Sequence, residues 1–183
     1  MLFFIKPHRF NLKNKKGFIT IEYVMSLLIF VLLFSFVFDL TLLTVQRNRA
    51  TNILQSMVRV VQVQSGLETS TPANFPSIGN SYLTTSTFIA NSKTLFSDVG
   101  INPDTVKIEL SGTLSNGNPV STELSPTTTI QLKYKTPFTV RLTYDHSFSI
   151  WSHFVPGLRS CEQTITSVGL AEYKQNYDIW EGE

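Results

Sequence analysis

The 183-residue chain contains a single cysteine, Cys161. One thiol cannot form a disulfide within the chain, so a folded domain must be stabilised by packing or must pair Cys161 with another chain. Because a free cysteine behaves as a small apolar side chain, we interpret Cys161 as a packed residue. The composition therefore excludes a domain held together by internal disulfides.

The sequence patterns of common enzymes are also absent. The chain has no glycine-rich phosphate-binding loop, no Cys-x-x-Cys pair and no Gly-x-Ser-x-Gly turn. The one cluster suited to acid–base chemistry holds Asp145, His146 and His153, but two histidines seven residues apart lack convergent partners for zinc. We interpret both histidines as surface or loop residues. We predict no catalytic residue, no metal and no cofactor, so the chain is not expected to be an enzyme.

Acidic residues are missing from the first 21 positions, where basic residues are concentrated. These basic residues are Lys6, Arg9, Lys13, Lys15 and Lys16. The formal net charge of the whole chain is only +2, so no broad basic surface for nucleic acid is predicted. A basic segment directly before an apolar one favours an N-terminus that stays in the cytoplasm.

Charged residues are absent again between Tyr23 and Phe38, where the chain is almost entirely apolar. The 21 steps from Phe18 to Asp39 correspond to about 32 Å of α-helix. That length matches a hydrocarbon core of about 30 Å. We predict a transmembrane helix over residues 18–45, with Asp39 near the outer interface. A cleaved secretory signal would be shorter and would end in small residues, which are not found here.

Glu22 interrupts the start of this apolar segment. A carboxylate at the centre of a membrane span costs about 2.5–3.5 kcal/mol on insertion scales, and less near the interface. A simple anchor gains nothing from such a residue. If the chain were cut before Phe18, the new amine would give the carboxylate a partner, in the same chain or in a neighbouring one.

The order of Gly17, Phe18, Glu22 and Tyr23 after a basic leader resembles the processing site of the type IV pilin superfamily. The Glu-Tyr pair is more similar to the Flp/Tad (tight adherence) branch. Because the chain continues far beyond its helix, it resembles a TadE-like minor pilin or pseudopilin. The similarity extends over about residues 15–60, and more loosely over residues 138–173.

The resemblance implies a role for each matching residue. A prepilin peptidase would remove the leader, residues 1–17 with Lys13, Lys15 and Lys16, by cutting between Gly17 and Phe18. Glu22 would be the carboxylate used in subunit docking, and Tyr23 its branch-specific neighbour. The implied partners are the membrane, the peptidase, other pilins or pseudopilins, and an assembly platform with its motor.

The resemblance also implies a location and a use. The chain would cross the bacterial cytoplasmic membrane once, with its C-terminal domain outside, and then enter a surface filament or a secretion pseudopilus. That assembly would serve adherence, secretion, DNA uptake or conjugation. The alternative is an unprocessed, signal-anchored envelope protein whose extracellular β domain binds a ligand or a partner. The two interpretations differ in whether the chain is cut after Gly17, and so in whether a substitution of Gly17 changes the product.

Helical spacing of apolar residues continues beyond the membrane segment. The residues concerned are Ala50, Ile53, Leu54, Met57, Val58 and Val61. We predict an amphipathic extension over residues 46–66, which makes one helix over about 18–64 that stops at Gly66. Residues 67–104 are predicted to be a linker rich in serine, threonine and proline, with a short helix around Ser92–Val99.

From residue 105 the apolar period changes to two, which is typical of β-strands. We predict an antiparallel β domain over residues 105–183, with four or five strands packed on the helix. The predicted strands lie near residues 106–110, 127–134, 138–144, 148–151 and 164–173, and a turn is predicted at 115–119. The fold class is therefore α+β.

Four aromatic residues near the end of this domain have two interpretations. They are Tyr144, Phe148, Trp151 and Phe154. They either fill the core or form an adhesive or subunit-docking patch, since aromatic side chains supply much of the contact energy at interfaces. The acidic tail, residues 178–183 with Trp180, either docks to a neighbouring subunit or frays.

Overall fold

The computed structural model describes residues 15–72, 75, 82–148, 150–155, 157 and 159–173, with backbone only for residues 15–18. The described elements in chain order are α1 (Lys15–Gln64), β1 (Gly66–Leu67), α2 (Thr85–Asp98), β2 (Lys107–Thr113), β3 (Pro119–Glu123), β4 (Ile130–Gln131), β5 (Pro137–Ser147), α3 (Trp151–Phe154) and β6 (Ser160–Leu170). Lys13 and the acidic tail lie outside the described residues.

Helix α1 is continuous over 50 residues, which is about 75 Å at 1.5 Å per residue. No glycine or proline occurs between Phe18 and Ser65, and these two residue types disfavour a helix interior most strongly. The chain turns at Ser65 and Gly66, which have φ values of 50° and 137°. A Cβ on Gly66 would lie 2.0 Å from the carbonyl oxygen of Ile130, so only glycine fits there. The predicted helix over 18–64 is confirmed.

The domain is built on a four-stranded antiparallel sheet in the order β3-β2-β5-β6. Strands β5 and β6 pair along their whole length, from Pro137 opposite Leu170 to Ser147 opposite Ser160. Alternate side chains of β5 are buried, as a strand with one face on the core requires. The buried side chains of β5 are Phe138, Val140, Leu142, Tyr144 and His146.

The half of α1 nearer its C-terminus, which we call the outer half, packs on this sheet and shares one hydrophobic core with it. Ala50, Leu54 and Val61 of the helix have no exposed surface, and Met57 and Val58 are nearly as buried. The spacing of these residues puts them on one helix face. The structure thus confirms an α+β fold in which a long N-terminal apolar helix packs against a C-terminal antiparallel sheet.

Helix α2 lies between α1 and the large sheet in the chain, and a small two-stranded sheet pairs β1, which follows α1, with β4, which lies between β3 and β5. The Thr84 hydroxyl caps α2 by accepting a hydrogen bond from the backbone N–H three residues later. Phe88 and Phe96 of α2 belong to the main core. The helix predicted at Ser92–Val99 is therefore present, but it begins at Thr85 because the cap lies at Thr84.

Several strand bounds differ from the predicted ones, since β2 and β5 each run three residues further than predicted. The strand predicted at 127–134 is limited to Ile130–Gln131, which pairs with β1 in the small sheet. The last strand begins at Ser160 rather than at 164 and ends at Leu170. Strand β3 is missing from the prediction, because it is an edge strand without buried side chains and so lacks the apolar alternation of a core strand.

The extended segment predicted at 148–151 is wrong. Strand β5 ends at Ser147, and Trp151–Phe154 form one helical turn, α3. The backbone N–H groups of Ile150 and Trp151 both donate to the side chain of Asp39. A helical turn points its first N–H groups in one direction, so one carboxylate can accept from both, which favours the turn over a strand.

Candidate functional site

The first half of α1 is bare. We call residues 19–34 the bare segment, because every side chain in it is exposed except that of Leu32, which is half-buried. No part of the described domain covers these apolar side chains. The helix is long enough and apolar enough to cross a membrane. The two halves of α1 therefore differ in what covers them, since the described domain packs on the second half and leaves the bare segment uncovered.

Glu22 and Tyr23 lie at the start of the bare segment, and both side chains are exposed. Residue 22 follows residue 18 by four positions, so the two lie on the same face of the helix, one turn apart. Among the side chains that the structure describes, Glu22 forms no salt bridge. The carboxylate is thus accessible from outside its own chain.

The backbone around the predicted cleavage position is helical. Lys15, Lys16, Gly17 and Phe18 form the first turn of α1. Glycine in a helix is about 1 kcal/mol less favourable than alanine, so Gly17 lowers the cost of opening this turn. An extended backbone at Gly17 is therefore easier to reach than it would be with another residue there.

The domain first reaches α1 at Ser35 and Asp39. These residues are one turn apart, and they are the first buried side chains of the described helix. Asp39 is only 1% exposed, and its Oδ2 accepts hydrogen bonds from the N–H of Trp151 at 2.6 Å and of Ile150 at 3.2 Å. This carboxylate holds the loop after β5 against the helix.

Aromatic rings extend this contact. The ring of Phe36 lies 5.2 Å from that of Trp151, which in turn lies 6.4 Å from that of Phe154. Trp151 is half-buried, whereas Phe154 is 50% and Val155 38% exposed. The loop from Ile150 to Val155, which we call the aromatic loop, therefore adds apolar surface beside the bare segment.

The four aromatic residues considered as a docking patch do not share one surface. Tyr144 and Phe148 are buried, at 1% and 8% exposure. Burial raises the pKa of the Tyr144 hydroxyl above its usual range, with the charge of Arg47 acting in the opposite direction. Only Trp151 and Phe154 remain on the outside, in the aromatic loop.

His146 is buried, contrary to the surface position expected for it. Its Nδ1 and the Oε1 of Gln46 form a hydrogen bond, and its ring packs perpendicular to that of Phe148 with the ring centroids 5.1 Å apart. Burial lowers the pKa of His146, and the charge of Asp39 partly opposes this shift. The Gln46 amide also donates to the carbonyl of Gly100 at 2.8 Å. The polar pair of His146 and Gln46 thus joins the helix to the domain.

The other two residues considered for chemistry, His153 and Cys161, lie on different elements, α3 and β6. His153 is exposed in α3, and Cys161 is half-buried and accepts a hydrogen bond from Gln163. Within the described part of the chain, no group of three or more His, Cys, Asp or Glu side chains is arranged to hold a metal ion.

Comparison with known protein families, proteins and structures reveals no relative of this chain. No family model, curated protein or solved structure matches the chain. The functional interpretation therefore depends on the residues and geometry of this chain.

A groove runs between the outer half of α1 and β6. It has a volume of about 450 Å³ and is lined in part by Arg59, Val168 and Glu172. The Glu172 carboxylate already accepts a hydrogen bond from the amide of Gln62 at 2.5 Å. Polar side chains of Gln55, Arg59, Gln62, Ser167 and Glu172 line it together with three valines, and we assign it no ligand.

Sequence reasoning missed the role of Asp39. The signal was present, because Asp39 is an isolated acid within an apolar run, and such residues are usually paired. Its partners are 111 and 112 positions away in the chain, so no local pattern indicated them.

Proposed function

We propose that this chain is a pilin-like structural subunit, a minor pilin or pseudopilin of a bacterial surface filament or secretion pseudopilus. In this proposal a prepilin peptidase removes residues 1–17, and the processed chain waits in the cytoplasmic membrane until an assembly machine extracts it. The observation that carries the proposal is Glu22, an exposed carboxylate one turn after Phe18 on a bare apolar helix.

The cost of Glu22 supports a role between subunits. Insertion scales give about 2.5–3.5 kcal/mol for a central acidic residue and less near an interface. Cleavage before Phe18 creates an amine that can neutralise this charge. When that amine belongs to a neighbouring chain, the ion pair forms only on assembly, and the low dielectric of a helical bundle strengthens it.

The two halves of α1 support the same role. Residues 19–34 carry apolar side chains that the described domain does not cover, whereas Ala50, Leu54 and Val61 are fully used in the core. In the membrane, lipid covers the bare segment. In a filament, the bare segments of neighbouring subunits cover one another, so the same surface serves storage and assembly.

Processing is tested by intact mass. The full chain is expressed in membranes with and without an active prepilin peptidase, and the membrane-bound product is weighed. We expect a mass that begins at Phe18, abolished by Gly17→Leu because a side chain there crowds the protease cleft. Ser26→Leu is the control, since it alters the same helix away from the cut. A mass that still begins at Met1 with active peptidase would overturn the proposal and leave the signal-anchored alternative.

Assembly is tested at Glu22. We expect Glu22→Ala to be inserted and cut normally but to be lost from filaments or from cross-linked subunit complexes. Glu162→Ala is the matched control, because that carboxylate is exposed on the sheet, far along the chain from the bare segment. Normal incorporation of Glu22→Ala would contradict the docking role.

A further inference from the structure

The aromatic loop and the apolar residues of α1 directly after the bare segment form one apolar surface. Phe36 of the helix, Trp151 and Phe154 make a chain of ring contacts at 5.2 and 6.4 Å. Along α1 the neighbouring side chains Val37 and Phe38 are 59% and 46% exposed. The rings of the loop therefore extend the exposed apolar surface of the helix at Phe36, Val37 and Phe38.

We propose that the aromatic loop is a membrane-binding surface, in which Trp151, Phe154 and Val155 enter the outer interface of the bilayer that α1 spans. The proposal rests on the membrane-spanning part of the proposed function. It goes beyond that function by giving the domain its own contact with lipid, so that the domain rests on the membrane instead of standing clear of it.

The length of the helix puts the loop at the right depth. A hydrocarbon core of about 30 Å that begins at Phe18 ends about 20 residues later, at Phe38. The hydrogen bonds of Asp39 to Ile150 and Trp151 fix the loop at this level. Tryptophan is enriched at membrane interfaces, because its ring is apolar and its N–H remains able to bond water or headgroups.

The exposed residues of the loop fit lipid as the occupant. Phe154 is 50% and Val155 38% exposed, and such side chains gain about 25 cal/mol for each Å² of apolar surface removed from water. His153 and Arg159, both exposed, flank them in the chain and can reach lipid phosphates. A second copy of the chain is the competing occupant, and the experiment separates the two.

The chain has two tryptophans, Trp151 and Trp180, so Trp180→Phe leaves Trp151 as the only reporter. The full chain with this change is reconstituted at high dilution into phosphatidylcholine vesicles, plain or with lipids brominated near the headgroup end of the acyl chain. Flotation first establishes that the chain is in the vesicles. We expect a blue-shifted emission of Trp151, strong loss of fluorescence with brominated lipid, and weak quenching by aqueous acrylamide.

The matched control moves the reporter to the far end of β5. Tyr134 is 41% exposed and lies just before this strand, whereas the aromatic loop follows it. Tyr134→Trp, combined with Trp151→Phe and Trp180→Phe, should give water-like emission and strong acrylamide quenching.

Three outcomes would count against the proposal in different ways. Trp151 that behaves like the Tyr134→Trp control in floating vesicles overturns the lipid contact and leaves the proposed function intact. Blue-shifted Trp151 that brominated lipid does not quench indicates burial against protein, which also overturns it. A chain that fails to float with vesicles removes both the lipid contact and the membrane-stored subunit.

Discussion

The contact between Asp39 and the aromatic loop leads to a quantitative prediction. Replacing Asp39 by alanine leaves the N–H groups of Ile150 and Trp151 without the acceptor they have in the folded chain. Both groups lie where the loop meets the helix, beside a side chain that is 1% exposed. We expect Asp39→Ala to release the loop while the sheet and the outer half of α1 stay folded.

The expected magnitude follows from the two distances. The bond from Trp151, at 2.6 Å, is short, whereas the bond from Ile150, at 3.2 Å, lies at the long end of the N–H···O range. One strong and one weak bond to a charged acceptor together contribute about 2–3 kcal/mol. Because opening the loop exposes its amides, this loss corresponds to roughly 30- to 150-fold faster hydrogen exchange.

Hydrogen exchange followed by mass spectrometry measures this effect in the full chain in detergent micelles, on peptides that cover residues 150–155. Asp39→Asn keeps an oxygen acceptor without the charge, and neutral hydrogen bonds are about half as strong, so its exchange should be intermediate. Thr41→Val is the control, since that hydroxyl bonds only the carbonyl of Val37 within the helix. An unchanged exchange rate in Asp39→Ala would refute the reasoning. It would mean that the ring contacts, and not Asp39, hold the loop against the helix.

Three further predictions concern the domain. Leu54→Ala, at a position with no exposed surface, should destabilise the domain by about 2–5 kcal/mol in chemical denaturation. Gly66→Ala should lower the free energy of unfolding by about 2 kcal/mol or more, because Gly66 has a φ of 137° and no room for a Cβ. Gly157→Ala is the control and should change the free energy of unfolding little, because a Cβ there would lie within 4 Å of no other atom. Burial lowers the pKa of His146 from its usual 6.5 in the folded chain. As the pH falls, the imidazole is therefore protonated in the unfolded chain before it is protonated in the folded one. The free energy of unfolding should decrease below about pH 6.5, by at most about 1.4 kcal/mol per pH unit. Thermal melts against pH should show this component lost in His146→Gln and kept in His153→Gln, and an identical profile for both variants would contradict it.

The sequence predicted the core face of α1 well for a physical reason. A helix without glycine or proline has one fixed periodicity, so Ala50, Leu54 and Val61 must share a face. Their burial needed only an apolar partner, which the alternating residues of the later strands supply. The helix and the fold class are therefore determined by local patterns.

The burial of Tyr144, His146 and Phe148 follows from the period of strand β5. Tyr144, His146 and Phe148 follow Leu142 at steps of two, and the period of a strand puts them on the core face. Their burial was thus predictable, including that of a histidine. The position of Trp151 was not predictable, because the chain leaves the strand after Ser147 and the N–H of Trp151 bonds Asp39, which is more than a hundred residues earlier.

Helix α1 runs without a break from the bare segment into the domain, so it links the position of one to the position of the other in the proposed subunit. Helices bend sharply at glycine, proline or inserted groups, and α1 has no glycine or proline after its first turn. From Glu22 to the core residue Leu54 the helix rises by about 48 Å. The domain holds the helix at several levels, at Asp39 through the aromatic loop, at Gln46 through His146 and at Leu54 through the core. Because these attachments belong to one continuous helix, the proposed docking of Glu22 against a neighbouring chain would also fix the position of the domain, and a filament built through the helices would order the domains outside them.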